Sequence, residues 1–255
     1  MWIIADIMGM NNKFDIMLTN QYQSYIILYG EFTMNIDTVK TVWSEGELKQ
    51  NTHIVTMGDS CIIIDAGASL DDIMPIVEDK KVEAILVTHA HYDHITYIES
   101  YQIAFDCPVY MHENSEKFLT DTELNVSRFF GVDKTFDLHD VQYIKGKETL
   151  NLSGIEVKAI FTPGHSDDSL CYLFDNDVLF TGDTVFSIAV GRTDLATGNT
   201  KRLIASLNQL LKVDFNTAYT GHGRGTTKQE QLTNIPKWIE ILKQDLLSGD
   251  KKVDY

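Results

Sequence analysis

Between Ile85 and Tyr97 the chain reads ILVTHAHYDHITY, with three histidines and an aspartate in six positions directly after a run of strand-forming residues. Imidazole nitrogen and carboxylate oxygen are donors that Zn²⁺ takes at about 2.0–2.2 Å, and catalytic zinc sites leave one position open for water. In an extended segment His89 and His91 point to one side, so both can reach one ion. Asp93 and His94 lie past the turn, point elsewhere and suit a second ion nearby. Two ions about 3.5–4 Å apart need a carboxylate between them, and Asp183 is available.

Three further clusters repeat the design. TPGHS (162–166), TGD (181–183) and TGHG (220–223) place His165, Asp183 and His222 each behind a glycine, after an apolar or β-branched run. Glycine lets the backbone turn tightly and come close, so a polar side chain at a strand's mouth is well presented there. Each piece alone is weak: HxH on an exposed strand is common, and a lone GH or GD is only a turn. Together and in succession they are a sharper signal, and five of the eight histidines fall within them. Five imidazoles and two carboxylates fill two ion sites with little left over. The remaining His53, His112 and His139 lack such context and read as surface or satisfied core histidines.

Strands must deliver these groups. THIVTMG and CIIIDAG read as two strands joined at Gly58-Asp59, a hairpin signal. Ser69 caps a helix over LDDIMPIVEDK, with Pro75 a disturbance near its middle. VEAILVTH and PVYMH follow as strands, and ETLNLSGIEVKAIFTPGH supplies two more. SLCYLFDNDVLFTGD is a hairpin turning at Asp175-Asn176-Asp177. NSEKFLTDTELNVSRFFG has helical character and is expected over a cleft. NTKRLIASLNQLLKV puts Leu203, Ile204, Leu207, Leu210 and Leu211 on one helix face. TAYTGH is a last short strand, and the tail from Lys228 reads as helix apart from Pro236. Strands with interleaved helices, in two successive halves, predict an α/β fold of paired sheets covered by helices.

Composition narrows the function. With 255 residues, 44% of them hydrophobic, the chain can bury a sizeable core. Asp and Glu number 37 against 21 Lys and Arg, a formal charge of -16, which repels phosphate backbones and weighs against nucleic acid as a partner. Cys61, Cys107 and Cys171 form no CxxC pair and read as buried, reduced thiols. No stretch has the apolar length to span a bilayer, and the N-terminus lacks a basic leader and cleavage site, so no membrane partner is expected and the expected location is cytoplasmic. Residues 1–33 show no sustained periodicity and read as an N-terminal extension, with the domain proper covering 34–255. Oligomeric state is not legible.

In order, THAHYDH, TPGHS, TGDTVF and TGHG resemble the motifs of the metallo-β-lactamase superfamily. The resemblance spans residues 34–236 and implies an αββα four-layer sandwich with the metal site at one edge of its two sheets. It implies two divalent ions, zinc first, with iron and manganese as alternatives. His89, His91 and His165 would hold one ion, Asp93, His94 and His222 the other, and Asp183 would bridge. Asp65, in IIIDAG, matches an aspartate that orients a histidine from behind.

GRTDL after the GDTVF motif and GHGRGTT further on look most like the small glyoxalase II-type hydrolases. That implies a small-molecule thioester substrate of the S-acylglutathione type. Water activated by the ions attacks the carbonyl, with Asp93 and Asp183 as catalytic carboxylates, and the thiolate leaves without a strong general acid. Arg192 suits a substrate carboxylate, with an ion pair to Asp194 as the equal alternative. Tyr97 is expected to narrow the cleft. A persulfide dioxygenase, with one Fe(II) on His89, His165 and Asp183, resembles the same pattern. Lactonase chemistry also fits, because such a site says little about its substrate.

Overall fold

The computed structural model describes residues 36–44 and 49–248, so the reading of residues 1–33 as an extension lies outside the described residues. The first sheet takes six strands in chain order: β1 (Thr38–Trp43), β2 (Asn51–Met57), β3 (Ser60–Ile64), β4 (Lys81–Leu86), β5 (Val109–His112) and β6 (Val141–Ile144). β1, β2 and β3 are antiparallel, and β2 turns into β3 at Gly58-Asp59, where Gly58 has φ +55°. β4, β5 and β6 each pair parallel with the strand before, which requires crossovers. Helices fill them: α1 (Leu70–Val77), then α2 (Tyr92–Ile95) and α3 (Ile98–Phe105), then α4 (Ser115–Thr120).

The second sheet holds β7 (Thr149–Leu152), β8 (Ile155–Phe161), β9 (Leu170–Phe174), β10 (Val178–Phe180), β11 (Thr217–Tyr219) and β12 (Thr226–Thr227). α5 (Thr200–Leu210) joins β10 to β11, and α6 (Lys228–Ser248) follows β12.

Strand periodicity builds the layers. In β3, Cys61 and Ile63 face the helices of the first half, whereas Ile62 and Ile64 face the second sheet. In β9, Leu170, Tyr172 and Phe174 face back across the middle, while Cys171 and Leu173 pack with Leu203, Leu207 and Leu210 of α5 and Ile235, Ile239 and Leu242 of α6. Three apolar cores therefore separate four layers, helix, sheet, sheet and helix, as the αββα reading expects. Each fully buried Ile or Leu in them is worth about 1.5–3 kcal/mol. The three cysteines are buried free thiols.

Strand direction then brings the polar motifs together. β3 and β4 are parallel, so Asp65 and His89 emerge at the same end of the first sheet. β8 and β10 each run antiparallel to β9, and β11 runs parallel to β10, so His165, Asp183 and His222 all leave one end of the second.

Two expectations need adjustment, and two strands add to the sequence reading. The helix over 114–131 stops at Thr120, because Asp121 turns extended and its carboxylate accepts from the Glu123 and Leu124 amides. Hydrogen-bonded turns replace it through Gly131. α6 runs unbroken through Pro236, which sits on the exposed face, where water can serve the carbonyl that proline leaves without a partner. β1 and β6 carry too many exposed residues to read as strands from pattern alone, and both are sheet edges. Among the described residues no helix is long and apolar enough to cross a membrane.

Candidate metal centre

All seven expected ligands meet at that edge. Three overlapping groups have donor atoms within 4.8 Å of one another: His89 with His91 and His165, Asp93 with His94 and His222, and His89 with His94 and Asp183. Asp183 faces both sides, with Oδ2 3.7 Å from His165 Nε2 and 3.4 Å from His222 Nε2, and Oδ1 3.4 Å from His94 Nε2. His222 Nε2 is also 3.2 Å from Asp93 Oδ2. His89, His91, His94 and His165 are buried, which costs free energy unless their polar atoms find partners.

Whether the donors suit a cation can be judged from the atoms left over. His89 Nε2, His94 Nε2 and Asp183 Oδ1 are buried and make no hydrogen bond. Each unmet buried polar atom costs about 1–3 kcal/mol, and these three all point into the cluster. Charge agrees with this. Burial pushes His89, His91 and His165 below the usual imidazole range, so they are neutral with lone pairs available. Burial also opposes charge on His94 and His222, yet the neighbouring carboxylates, Asp183 first, raise both, His222 to about 10. A proton there stands where a divalent ion would, and metal binding displaces it. Burial opposes ionisation of Asp183 too, but His222 and His94 hold it well below the usual carboxylate range. The clusters fit a dinuclear divalent site.

The candidate donors are held from behind. Asp65 has φ +61°, and its carboxylate accepts from the Thr88 amide (2.7 Å), the Thr88 hydroxyl (2.8 Å) and His94 Nδ1 (2.8 Å). His165 Nδ1 donates to the Arg192 carbonyl, 2.9 Å away, which turns Nε2 inward. Asn51 was not singled out in the sequence, yet its side chain donates to the Thr220 and Gly223 carbonyls on either side of His222. Its only signal is its place at the start of a strand. His53 adds a bond to the Thr220 carbonyl, His112 stacks on Phe161, and His139 is exposed, in line with their ordinary reading. The glycine before His222 is required by space: a Cβ on Gly221 would lie 2.1 Å from Asp183 Oδ1.

A cavity opens over the cluster, lined by His91, Asp93, His165, Asp183 and His222 below and by Val126, Phe129, Phe130, Leu195 and Arg192 above. The segment 121–134 thus stands at the cleft, although as turns. Tyr97 does not line this cavity. It caps the start of α3, with its amide bonded to the Ala66 carbonyl. Arg192 reaches the rim but grips Asp194 through two bonds of 2.7 Å. Both partners are more than 40% exposed, so the pair is worth about 0–1 kcal/mol. Arg192→Ala decides between the two roles: if the ion pair is its whole role, KM and kcat in a hydrolysis assay are expected to change by less than about fivefold. A tenfold rise in KM in steady-state assays would mark the anchoring role.

Comparison with known proteins agrees with the fold. The profile of the metallo-beta-lactamase superfamily matches residues 46–222. The chain is 34% identical over 195 residues to the "Probable metallo-hydrolase YqgX" of Bacillus subtilis, covering 73% of this chain and 92% of that one. Among solved structures it is similar to the BLEG-1 B3 metallo-beta-lactamase, with a TM-score of 0.73 and 29% identity over 79% of this chain and 99% of the other. It is also similar to TTHA1623 in a di-iron-bound form, with a TM-score of 0.67 and 28% identity over 78% and 99% of the two chains. A sandwich of this topology with histidines and aspartates at one edge defines a class of metal-binding α/β proteins. Within that class, this chain belongs to the metallo-β-lactamase superfamily.

Proposed function

We propose that the protein is a metal-dependent hydrolase of small-molecule thioesters. Two divalent ions, zinc in the first instance, would be held by His89, His91 and His165 and by Asp93, His94 and His222, with Asp183 standing between the two sets. The observation that carries this reading is the pair of complete donor sets meeting at Asp183 on the floor of one cavity. The names of the relatives support the hydrolase half, and the GRTDL and GHGRGTT likeness supports the thioester half.

When bound, two such ions supply Lewis acidity and bring the pKa of water toward neutrality. The chain's own groups do the rest. The Asp93 and Asp183 carboxylates open onto the cavity and are placed to accept a hydrogen bond from the attacking water and orient it. Val126, Phe129, Phe130 and Leu195 hold the apolar part of the substrate and keep bulk water out. The departing thiolate is a weak enough base to leave without a proton donor.

The test pairs metal analysis with a thioester assay. Chelation is expected to abolish thioester hydrolysis, and Zn²⁺ to restore it. Protein carrying both ions but inert on a panel of acyl thioesters would sink the substrate half. One iron per chain together with oxygen uptake on glutathione persulfide would instead centre the chemistry on His89, His165 and Asp183 as in a persulfide dioxygenase.

A further inference from the structure

Asp168 has no part in the ligand set, yet its carboxylate is wholly buried at the edge where the ligands meet. Oδ2 accepts from the Ala90 amide at 2.8 Å and from the Ser115 hydroxyl at 2.7 Å, and Oδ1 accepts from the Ser166 hydroxyl at 2.5 Å. All three donors are neutral, and a buried carboxylate met only by neutral donors is an expensive choice for a core. Its neighbours in the chain supply the reason. Ala90 is the residue between His89 and His91, and Ser166 directly follows His165.

These three histidines come from different sheets. His89 and His91 follow β4 of the first sheet, and His165 follows β8 of the second. What joins the sheets over most of their area is an apolar core, and apolar packing is non-directional. It sets the separation of the layers but leaves their sliding loosely constrained, whereas a functional constellation must hold to about 0.5 Å. Directional bonds have to supply that. The Leu170 amide donates to the Thr88 carbonyl at 2.7 Å, and the Tyr172 hydroxyl to the Val87 carbonyl at 3.0 Å. Asp168 reaches the ligand loops themselves, with one oxygen on the first-sheet loop and the other on the second-sheet loop.

We propose that Asp168 is a positioning residue that sets the spacing of His89 and His91 against His165, and so the affinity of the ion site that those three form. The proposal rests on the two-ion reading above. In it the hydrogen bonds matter and the charge does not. Asparagine can keep its carbonyl on Ala90 and Ser115 and donate its amide to the Ser166 oxygen, because that hydroxyl can turn its own proton to Ser169 Oγ, 2.7 Å away.

The experiment uses the whole chain with Asp168→Ala, Asp168→Asn, Ser166→Ala and Ser115→Ala. Zn²⁺ affinity is read by competition with a chromophoric chelator, the visible spectrum by Co²⁺ loading, and folding by thermal melts. Asp168→Ala is expected to weaken one of the two ions about 10- to 100-fold and to alter the Co²⁺ bands. Asp168→Asn should stay within about threefold of the parent affinity, well short of that loss. If Asp168→Ala does not fold, the serines decide. Ser166→Ala, which cuts the link to the His165 loop, should weaken the ion, and Ser115→Ala, which cuts only the link to α4, should lower the melting temperature alone. Parent-like affinity in both Asp168→Ala and Ser166→Ala overturns the role, as does Asp168→Asn behaving like Asp168→Ala. A parent protein that takes up no ion at all sinks the metal reading instead, a separate and recognisable result.

Discussion

Asp183→Asn is expected to cut kcat/KM by about 10²- to 10⁴-fold and to lower metal content from two ions per chain to one, with the fold intact. The geometry shows why the effect is large. One oxygen faces His165 and His222, the other faces His94, and both donor sets depend on the same side chain. An amide of equal shape carries no charge and presents N–H on one of those sides. It also removes the anion whose field most strongly favours charge on His94 and His222, where a cation would sit. A metal ion contributes several kcal/mol of transition-state stabilisation, and about 1.4 kcal/mol is a factor of ten in rate, which sets the range. Steady-state kinetics with metal analysis check it. Two ions and near-parent turnover in the variant would mean that Asp183 is not shared between the sites.

The clustering of these donors was legible because metal chemistry narrows the choice of residue: imidazole and carboxylate have few substitutes, and glycine marks where the backbone must come close. Gly221 and Gly182 show this at atomic scale, since a Cβ on either would strike Asp183 Oδ1 or the Thr88 side chain within 2.4 Å. The sandwich was legible for a different reason. Alternation in CIIIDAG and SLCYLF divides each strand between two cores, so both faces of each sheet announce that they are covered.

What escaped were bonds from side chains to distant backbone. Asn51 acts on residues 169 to 172 positions away, and Asp168 acts on Ala90, 78 positions before it. Nothing local in the sequence records such pairs, and a polar residue in a loop looks the same whether it bridges two sheets or meets water. Edge strands escaped because half-exposed β1 and β6 lack an apolar face long enough to count. Arg192 was evenly balanced between substrate and Asp194, because sequence proximity favours the ion pair while residue type favours the substrate. The structure shows both features at once, two 2.7 Å bonds to Asp194 and a place in the cavity lining.

Asp65→Asn should be nearly as harmful to the Asp93–His94–His222 set as loss of a ligand, although it changes no residue that touches an ion. Asparagine tolerates φ +61°, so the backbone raises no objection. The difficulty is the proton. Oδ1 accepts from the Thr88 amide, and Oδ2 from the Thr88 hydroxyl and His94 Nδ1. If the asparagine carbonyl stays on the Thr88 amide, its NH₂ faces His94 Nδ1 and turns that nitrogen into an acceptor. The ring proton then moves to Nε2, the atom that otherwise points unbonded into the cluster, and its lone pair is lost to a cation. If the amide flips, two N–H donors oppose each other across 2.7 Å in a buried site, at a cost of about 1–3 kcal/mol. Neither orientation restores what the carboxylate provides. Partners behind metal-bound histidines are worth about 10- to 100-fold in affinity, so one ion should weaken by that factor while the His89–His91–His165 set holds its own. Chelator competition resolves the two sites, and a melt of the apo protein separates tautomer from stability. Equal affinities for both ions in parent and variant would show that His94 takes its orientation from elsewhere.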